Sequence, residues 1–237
     1  ADPAGAHTFA AEIALVRASI ARWRSELDRA AGLVTESASL PNGEAPQRAG
    51  VAVLEKSAVW AGLIAKDRGD LEAALREFEA VTSYDELIEA RVAFQKGDVL
   101  MALGRFDAAF GELERAVELA RENHALTPEQ SRYLSRRGTL HRRRGDLDLA
   151  WRDFDAAAAT VTVEGSGAGD LEREFWLARS EDERALTLLA RGEFTEAILS
   201  FERNIETFAR YGEHLGVDPS YRVWRGELYL ARAYLCR

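Results

Sequence analysis

A short phrase recurs four times along this chain. In each copy an alanine stands five positions after a glycine, and a large apolar residue stands nine positions after it. Glycine takes the left-handed backbone that ends a helix without a Cβ penalty, and an acidic residue just after it suits the start of the next helix. The recurring phrase therefore predicts a series of antiparallel helix pairs, with one glycine turn in each pair. The four glycines are Gly69, Gly104, Gly145 and Gly192.

A second register, seven positions before each turn glycine, always holds a small residue. Its members are Gly62, Gly97, Gly138 and Ala185. A glycine inside a helix costs roughly 1 kcal/mol relative to alanine. Three glycines at one register therefore indicate that two helices approach each other closely there. We interpret the large residue of the phrase as filling the gap between neighbouring helix pairs.

These registers resemble the tetratricopeptide repeat, a family in which positions 8 and 20 are small and position 24 is aromatic. The family's large residue at position 4 is largely missing here and its proline at position 32 is absent, so the repeats are degenerate. The resemblance covers about residues 50–237 and implies an all-α, right-handed α-solenoid of antiparallel helix pairs. It also implies a protein-binding scaffold that is not an enzyme. The matching triplets are Gly62, Ala74, Phe78; Gly97, Ala109, Leu113; Gly138, Ala150, Phe154; and Ala185, Ala197, Phe201.

The same patterns divide the chain into three predicted parts. Residues 1–7 are predicted to be a disordered or vector-derived tail, 8–46 an N-terminal capping helix with a loop, and 47–237 the solenoid. The glycine turns lie 35, 41 and 47 residues apart. The standard repeat has about 34 residues, so the extra residues are expected to lengthen helices and loops. The predicted repeats are 55–88, 90–123, 131–164 and 178–211, with a partial repeat at 219–237.

Local signals predict several helix ends. Ser83 with Glu86 is a capping box that would open the first helix of repeat two. The first helix of repeat four is predicted to run from Asp170 to Arg191, after a flexible connector at 163–169. Thr8 is predicted to cap one long N-terminal helix that packs on repeat one. The apolar stripe of that helix is Ile13, Val16, Ile20, Trp23, Leu27, Ala30 and Val34.

The first helix of repeat three is unusually basic. It has six arginines within the 13 residues from Arg132 to Arg144, in a chain whose formal net charge is −9. In the resembled family, positions 2, 5, 6, 9, 12 and 13 of each first helix line a concave groove. Several guanidinium groups in such a groove would suit an acidic peptide or an acidic protein surface. The resemblance assigns to the groove Arg132, Ser135, Arg136, Thr139, Arg142 and Arg143 from repeat three, with Arg91, Phe94, Asp98 and Met101 from repeat two.

Each assignment to the groove has a structural alternative. Phe94 and Met101 can be ligand contacts or core residues. Arg132 and Arg136 match two basic residues that clamp a peptide's terminal carboxylate in some family members. The family's asparagines at position 9 are missing, however, so a clamp of that type is not predicted. The arginines can instead pair with acids on neighbouring helices, namely Glu112, Glu114, Glu118, Asp148 and Asp153.

No motif predicts catalysis, a metal or a cofactor. The chain has no HExxH sequence, and its four histidines share no ligand spacing. The glycine-rich run at 165–169 lacks the lysine and hydroxyl residue of a phosphate-binding loop, so we interpret it as a linker.

Composition limits the partners and the compartment. The net charge of −9 argues against nucleic acid and anionic membranes as partners. No apolar run approaches the roughly 20 residues of a membrane span. The single cysteine, Cys236, allows no internal disulfide and favours a reducing, cytoplasmic compartment. Arginine outnumbers lysine 28 to three, which is typical of a GC-rich bacterial genome.

The last residues resemble the first helix of a fifth repeat. Ala231 and Tyr234 fit positions 8 and 11 of that repeat. Either this helix is a natural cap or the chain is a piece of a longer protein, and we favour the second interpretation. Without a following helix it would expose apolar surface, from Leu228, Leu230, Tyr234 and Leu235.

Three functions remain open at this point. The first is a scaffold that binds a protein or peptide partner in its groove. The second is a regulatory module of a larger bacterial signalling protein. Its effector domain would be a caspase-like CHAT protease, a STAND ATPase or a transcription regulator. The third is a structural element that self-associates through its C-terminal helix.

Overall fold

The computed structural model describes residues 3–39, 47–82, 85–123, 127–162, 170–215 and 220–236. These residues form eleven α-helices, and no strand occurs among them. Residues 40–46 of the loop predicted at 38–46, Ser83 and the predicted connector at 163–169 lie outside the described residues, whereas residues 38 and 39 belong to α2. The helices are α1 (Pro3–Trp23), α2 (Leu27–Ser39), α3 (Gln47–Asp67), α4 (Leu71–Glu79), α5 (Glu86–Ala102), α6 (Phe106–Glu122), α7 (Thr127–Arg144), α8 (Leu147–Thr162), α9 (Asp170–Arg191), α10 (Phe194–Leu215) and α11 (Ser220–Cys236).

The four predicted glycine turns join α3 to α4, α5 to α6, α7 to α8 and α9 to α10. All four glycines have positive φ, with values of 82° at Gly69, 76° at Gly104, 88° at Gly145 and 83° at Gly192. This is the left-handed region in which glycine carries no Cβ penalty. After the first turn, the Asp70 carboxylate accepts a hydrogen bond from the Ala73 backbone nitrogen at 2.9 Å. The predicted all-α fold of antiparallel helix pairs is confirmed.

The small-residue register lies where the two helices of a pair meet. A Cβ added to Gly62 would lie 2.5 Å from the Phe78 ring. A Cβ added to Gly97 would lie 2.6 Å from Leu113 Cγ. Real Cβ atoms essentially never show contacts below 3.0 Å. The large residue of the phrase therefore contacts the small residue of its own pair, and the close approach that the glycines predicted is confirmed.

The chain forms two compact units, Ala1–Leu119 and Ala120–Arg237. In unit 1 a core cluster joins α1, α2 and α3 and contains Leu15, Ala18, Ala21, Ala30, Val34 and Ile64. In unit 2, α7 packs against α8 and α9, and α10 packs against α9 and α11. One core cluster of unit 2 contains Ala185, Leu186, Leu188, Ala197, Ile198, Phe201 and Ala233.

The N-terminal prediction of a single helix was wrong. The chain forms α1 and α2, and the break between them includes Ser25 with a φ of 59°. Helix α1 also begins at Pro3, within the predicted tail and before the predicted cap at Thr8.

The face of α1 that packs also differs from the predicted stripe. Ile13, Val16 and Ile20 are 36%, 60% and 49% exposed. The buried face consists of smaller residues with the same helical spacing, which let the neighbouring helices approach closely. Its members are Ala11, Ala14, Leu15, Ala18 and Ala21.

The start of α5 differs from the predicted capping box as well. Asp85 is the N-cap residue, and its carboxylate accepts hydrogen bonds from the backbone nitrogens of Leu87 at 2.9 Å and Ile88 at 3.2 Å. Asp is among the strongest N-cap residues, and α5 begins directly after Asp85.

Candidate partner-binding surface

A polar pocket of about 200 Å³ lies on unit 2, where α7, α9 and α11 line one surface. Helix α7 contributes four side chains, α9 contributes two and α11 contributes one. Among the described residues the lining contains four arginines and one glutamate. We call it the arginine pocket. Its lining residues are Arg132, Ser135, Arg136, Thr139, Arg179, Glu183 and Arg225.

The structure thus brings together four of the six groove residues predicted in repeat three. The other two, Arg142 and Arg143, do not line the pocket. The Arg142 guanidinium donates a hydrogen bond to Glu183 Oε2 at 3.0 Å. Arg143 is exposed. A role for any of these residues in binding stays a prediction.

Glu183 is held in place on the wall of the arginine pocket. Its Oε2 atom lies 3.2 Å from the Thr139 hydroxyl, in addition to the contact with Arg142. The same hydroxyl lies 2.9 Å from the Ser135 carbonyl oxygen. The Ser135 hydroxyl lies 3.4 Å from that of Ser180. The floor between α7 and α9 is therefore a connected set of polar groups.

Arg225 is oriented by a buried acid. Its guanidinium lies 2.5 Å from Asp182 Oδ2, and the Asp182 side chain has 0% exposure. The Asn204 amide nitrogen donates to Asp182 Oδ1 at 3.3 Å. Burial raises the pKa of Asp182, while the positive charge and hydrogen bond of Arg225 oppose that shift. This network fixes Arg225 on α11 against α9 and α10.

Another arginine of the basic helix has a packing role. Arg137 donates two hydrogen bonds to Asp153 on α8, at 2.8 Å and 2.7 Å. His141 is buried nearby, with Nε2 3.8 Å from Asp153 Oδ2, and its burial lowers its pKa. The predicted alternative of acid pairing is therefore confirmed for Arg137. One side of α7 packs against α8, and another side lines the arginine pocket.

The groove residues predicted in repeat two belong to unit 1. Phe94 and Met101 are each 3% exposed, which agrees with the core interpretation of both. Asp98 forms an ion pair with Lys66, whose ammonium also donates to Gln95 Oε1 at 3.0 Å. Arg91 is exposed.

A second pocket in unit 1 has a volume of about 310 Å³. Its charged side chains form pairs across its walls, Lys96 with Glu112 and Arg115 with Glu89. Positive and negative groups balance in this pocket, so it offers no excess charge to an ionic ligand. The excess of positive charge is a property of the arginine pocket in unit 2.

The comparison with known families identifies one repeat directly. The family model described as tetratricopeptide repeat matches residues 90–123. These are the bounds predicted for the second repeat, so the resemblance stated from the sequence is confirmed. The bounds of the other repeats stay predictions.

Solved structures share the fold. The structure of Pseudomonas aeruginosa pilF has a TM-score of 0.62 and 13% sequence identity. The match covers 97% of this chain and 91% of the pilF chain. The crystal structure of MamA has a TM-score of 0.53 and 16% identity, covering 83% of this chain and 96% of its own. Both likenesses support the α-solenoid fold. No curated protein sequence matches the chain.

Two further properties concern the chemistry of the described residues. Among them, no group of three or more His, Cys, Asp or Glu side chains could hold a metal ion. None of the helices formed by these residues is long and apolar enough to cross a membrane.

Sequence reasoning missed Arg179 and Arg225, although a signal was present. Both stand six positions before the small residue of their helix, at Ala185 and Ala231, just as Arg132 stands six positions before Gly138. One register of three successive first helices, α7, α9 and α11, therefore holds arginine, and all three arginines line one pocket. Comparing that register across the repeats would have found them.

Proposed function

We propose that this chain is a protein-interaction scaffold whose unit 2 binds an acidic segment of a protein partner at the arginine pocket. The observation that carries the proposal is the lining of the pocket, which contains four arginines and one glutamate among the described residues. Guanidinium groups form short, directional hydrogen bonds with carboxylates and phosphates. The tetratricopeptide repeat at 90–123 supports protein binding rather than catalysis as the general role.

Two features of the pocket support recognition rather than packing alone. The pocket lies on the first helices of successive pairs, which is the surface that curvature makes concave in repeat proteins. The acid among its described lining residues, Glu183, is already bonded by Arg142 and Thr139. An incoming acidic group would meet arginines from three helices.

The test is charge reversal with a matched control. Arg132→Glu combined with Arg136→Glu is expected to abolish capture of acidic peptides, because both arginines line the pocket. Arg152→Glu combined with Arg203→Glu makes the same change in net charge at exposed positions on α8 and α10. Binding is measured by fluorescence polarisation with a library of acidic peptides. Equal loss in both double variants, or no loss in the first, would contradict the proposal.

Self-association through α11 is a second candidate function. Leu228, Tyr234 and Leu235 are 51%, 52% and 89% exposed, so α11 presents an apolar face. We propose that a second copy of the chain covers this face. Light scattering should show an oligomer that Leu228→Glu with Leu235→Glu converts to a monomer. Leu199→Glu, at a leucine 56% exposed on α10, is the control and should leave the oligomer unchanged.

The remaining interpretations rest on the sequence. We propose a cytoplasmic location, because the single cysteine leaves no internal disulfide to form. The role of a regulatory module attached to an effector domain, and a bacterial source, stay predictions.

A further inference from the structure

The size of the arginine pocket limits what it can hold. Its volume of about 200 Å³ is below the range of about 300–1,000 Å³ that is typical of sites for small organic molecules. The lining is also polar, with one threonine and one serine among its charged residues. A pocket of this size and polarity suits one charged functional group at the end of a side chain.

The charge of the lining points to a group with more than one negative charge. Among the described lining residues, four guanidinium groups and one carboxylate give a formal excess of three positive charges. A single carboxylate would neutralise one of them. A phosphate monoester carries about −1.5 to −2 charges at neutral pH and presents three acceptor oxygens.

The positions of the arginines on three helices agree with this choice. Arg132 and Arg136 project from α7, Arg179 from α9 and Arg225 from α11. A carboxylate is planar, and its two oxygens accept donors that approach close to that plane. A phosphoryl group is tetrahedral, so its three outer oxygens can accept donors that approach from three different helices.

Among the described residues, two acids at the pocket each accept a hydrogen bond from a side chain outside its lining. Glu183 Oε2 accepts from Arg142, which does not line the pocket. Asp182 is buried behind Arg225 and accepts from Asn204 as well. Arg225 has five N–H donors in a rigid fork, so its bond to Asp182 orients the remaining donors without using all of them.

We propose that the arginine pocket binds a phosphoryl group on a phosphorylated serine or threonine of the partner. This inference rests on the proposed function, because the phosphorylated residue is part of the segment that the scaffold binds. Phosphorylation of the partner would then switch the interaction on. In this proposal the phosphoryl oxygens accept hydrogen bonds from Arg132, Arg136 and Arg179. Arg225, which Asp182 orients, is the fourth donor.

The experiment compares three forms of one acidic peptide library, with a central phosphoserine, glutamate or serine. Affinities for the full chain are measured by fluorescence polarisation at constant ionic strength. The phosphoserine form is expected to bind about tenfold or more tightly than the glutamate form, since it gains at least one charge-assisted hydrogen bond. Arg179→Gln and, separately, Arg132→Gln are expected to remove this preference. Arg203→Gln, an exposed arginine on α10, should retain it.

The outcomes separate the two proposals. If all three forms bind equally well, acidic-segment binding stands and the phosphoryl inference is overturned. If the preference persists in both pocket variants, the pocket is the wrong site and the inference is also overturned. If no peptide binds, the proposed function fails, and inorganic phosphate then decides the inference. Saturable thermal protection by inorganic phosphate, absent with acetate and lost in Arg179→Gln, would support a phosphoryl site, and no protection would overturn it.

Discussion

Two glycine-to-alanine changes in the same repeat are expected to differ in their effect on stability, and only one of them should be stabilising. Gly97 on α5 and Gly111 on α6 both lie inside helices of the repeat at 90–123. A Cβ added to Gly111 would meet nothing within 4 Å. Gly111→Ala should therefore raise the free energy of unfolding by about 1 kcal/mol, which is the helix-propensity difference between the two residues.

The same change at Gly97 introduces an overlap. Its Cβ would lie 2.6 Å and 2.8 Å from Leu113 Cγ and Cδ2, and 3.3 Å from the Ala109 carbonyl oxygen. Leu113 has 0% exposure, so it has little room to move away. Overpacking of a core costs about 1–3 kcal/mol. After the gain of about 1 kcal/mol in propensity, Gly97→Ala should be neutral to destabilising by about 2 kcal/mol.

The measurement is urea denaturation of both variants and the wild type, followed by circular dichroism. Both changes lie in unit 1, so departure from a single two-state transition affects both in the same way. A double-mutant cycle with Leu113→Ala isolates the contact, because the truncated side chain no longer meets the new methyl group. A Gly97→Ala variant that is as stabilised as Gly111→Ala would refute the reasoning about close helix approach.

The buried pair of Asp182 and Arg225 gives the remaining prediction in two parts. Asp182→Asn should destabilise unit 2 by about 1–3 kcal/mol, because the new amide nitrogen would face one of the two donors, Arg225 or Asn204, from which the Asp182 oxygens accept hydrogen bonds, and thermal denaturation checks this. The pKa of folded Asp182 is raised above its usual value of 3.8, so the stability that this group contributes is present below that value and is lost as the pH rises through the folded pKa. The stability difference between wild type and Asp182→Asn should therefore be larger in acid than at neutral pH. Urea titrations across that range that show an unchanged difference would contradict the assignment.

The helix pairs could be predicted because their signal is local and repeats. A turn glycine, an alanine and a large apolar residue each have a backbone or packing requirement that is the same in every copy. Gly69 and Gly145 have positive φ, and Gly138 lies under Phe154 with no room for a methyl group. The N-terminal helices carry no such phrase. Helix α1 has two apolar faces with helical spacing. Packing against the neighbouring helices determines which of them is buried, and the sequence of α1 alone does not reveal it.

The candidate site could be predicted only in part, for a different reason. Arg132 and Arg136 stood out because they belong to a dense run of arginines. Arg179 and Arg225 lie in stretches of the sequence whose charge does not stand out. Only folding brings them to the same pocket. Arg137 belongs to the same run but pairs with Asp153 on α8. Helical periodicity separates these faces, whereas a count of charges along the sequence does not.

A basic pocket on an acidic chain can select its ligand because the net charge of the chain acts at long range, whereas the arginines of the pocket act at short range. The net charge of −9 repels extended polyanions such as nucleic acid at long range. At physiological salt that repulsion is screened beyond about 8 Å, so it acts weakly on a short segment that carries one phosphoryl group. Once the group enters, the four arginines of the lining dominate its surroundings. Under the proposed function, this combination would disfavour nonspecific polyanions and favour a single anionic group as the ligand of the arginine pocket.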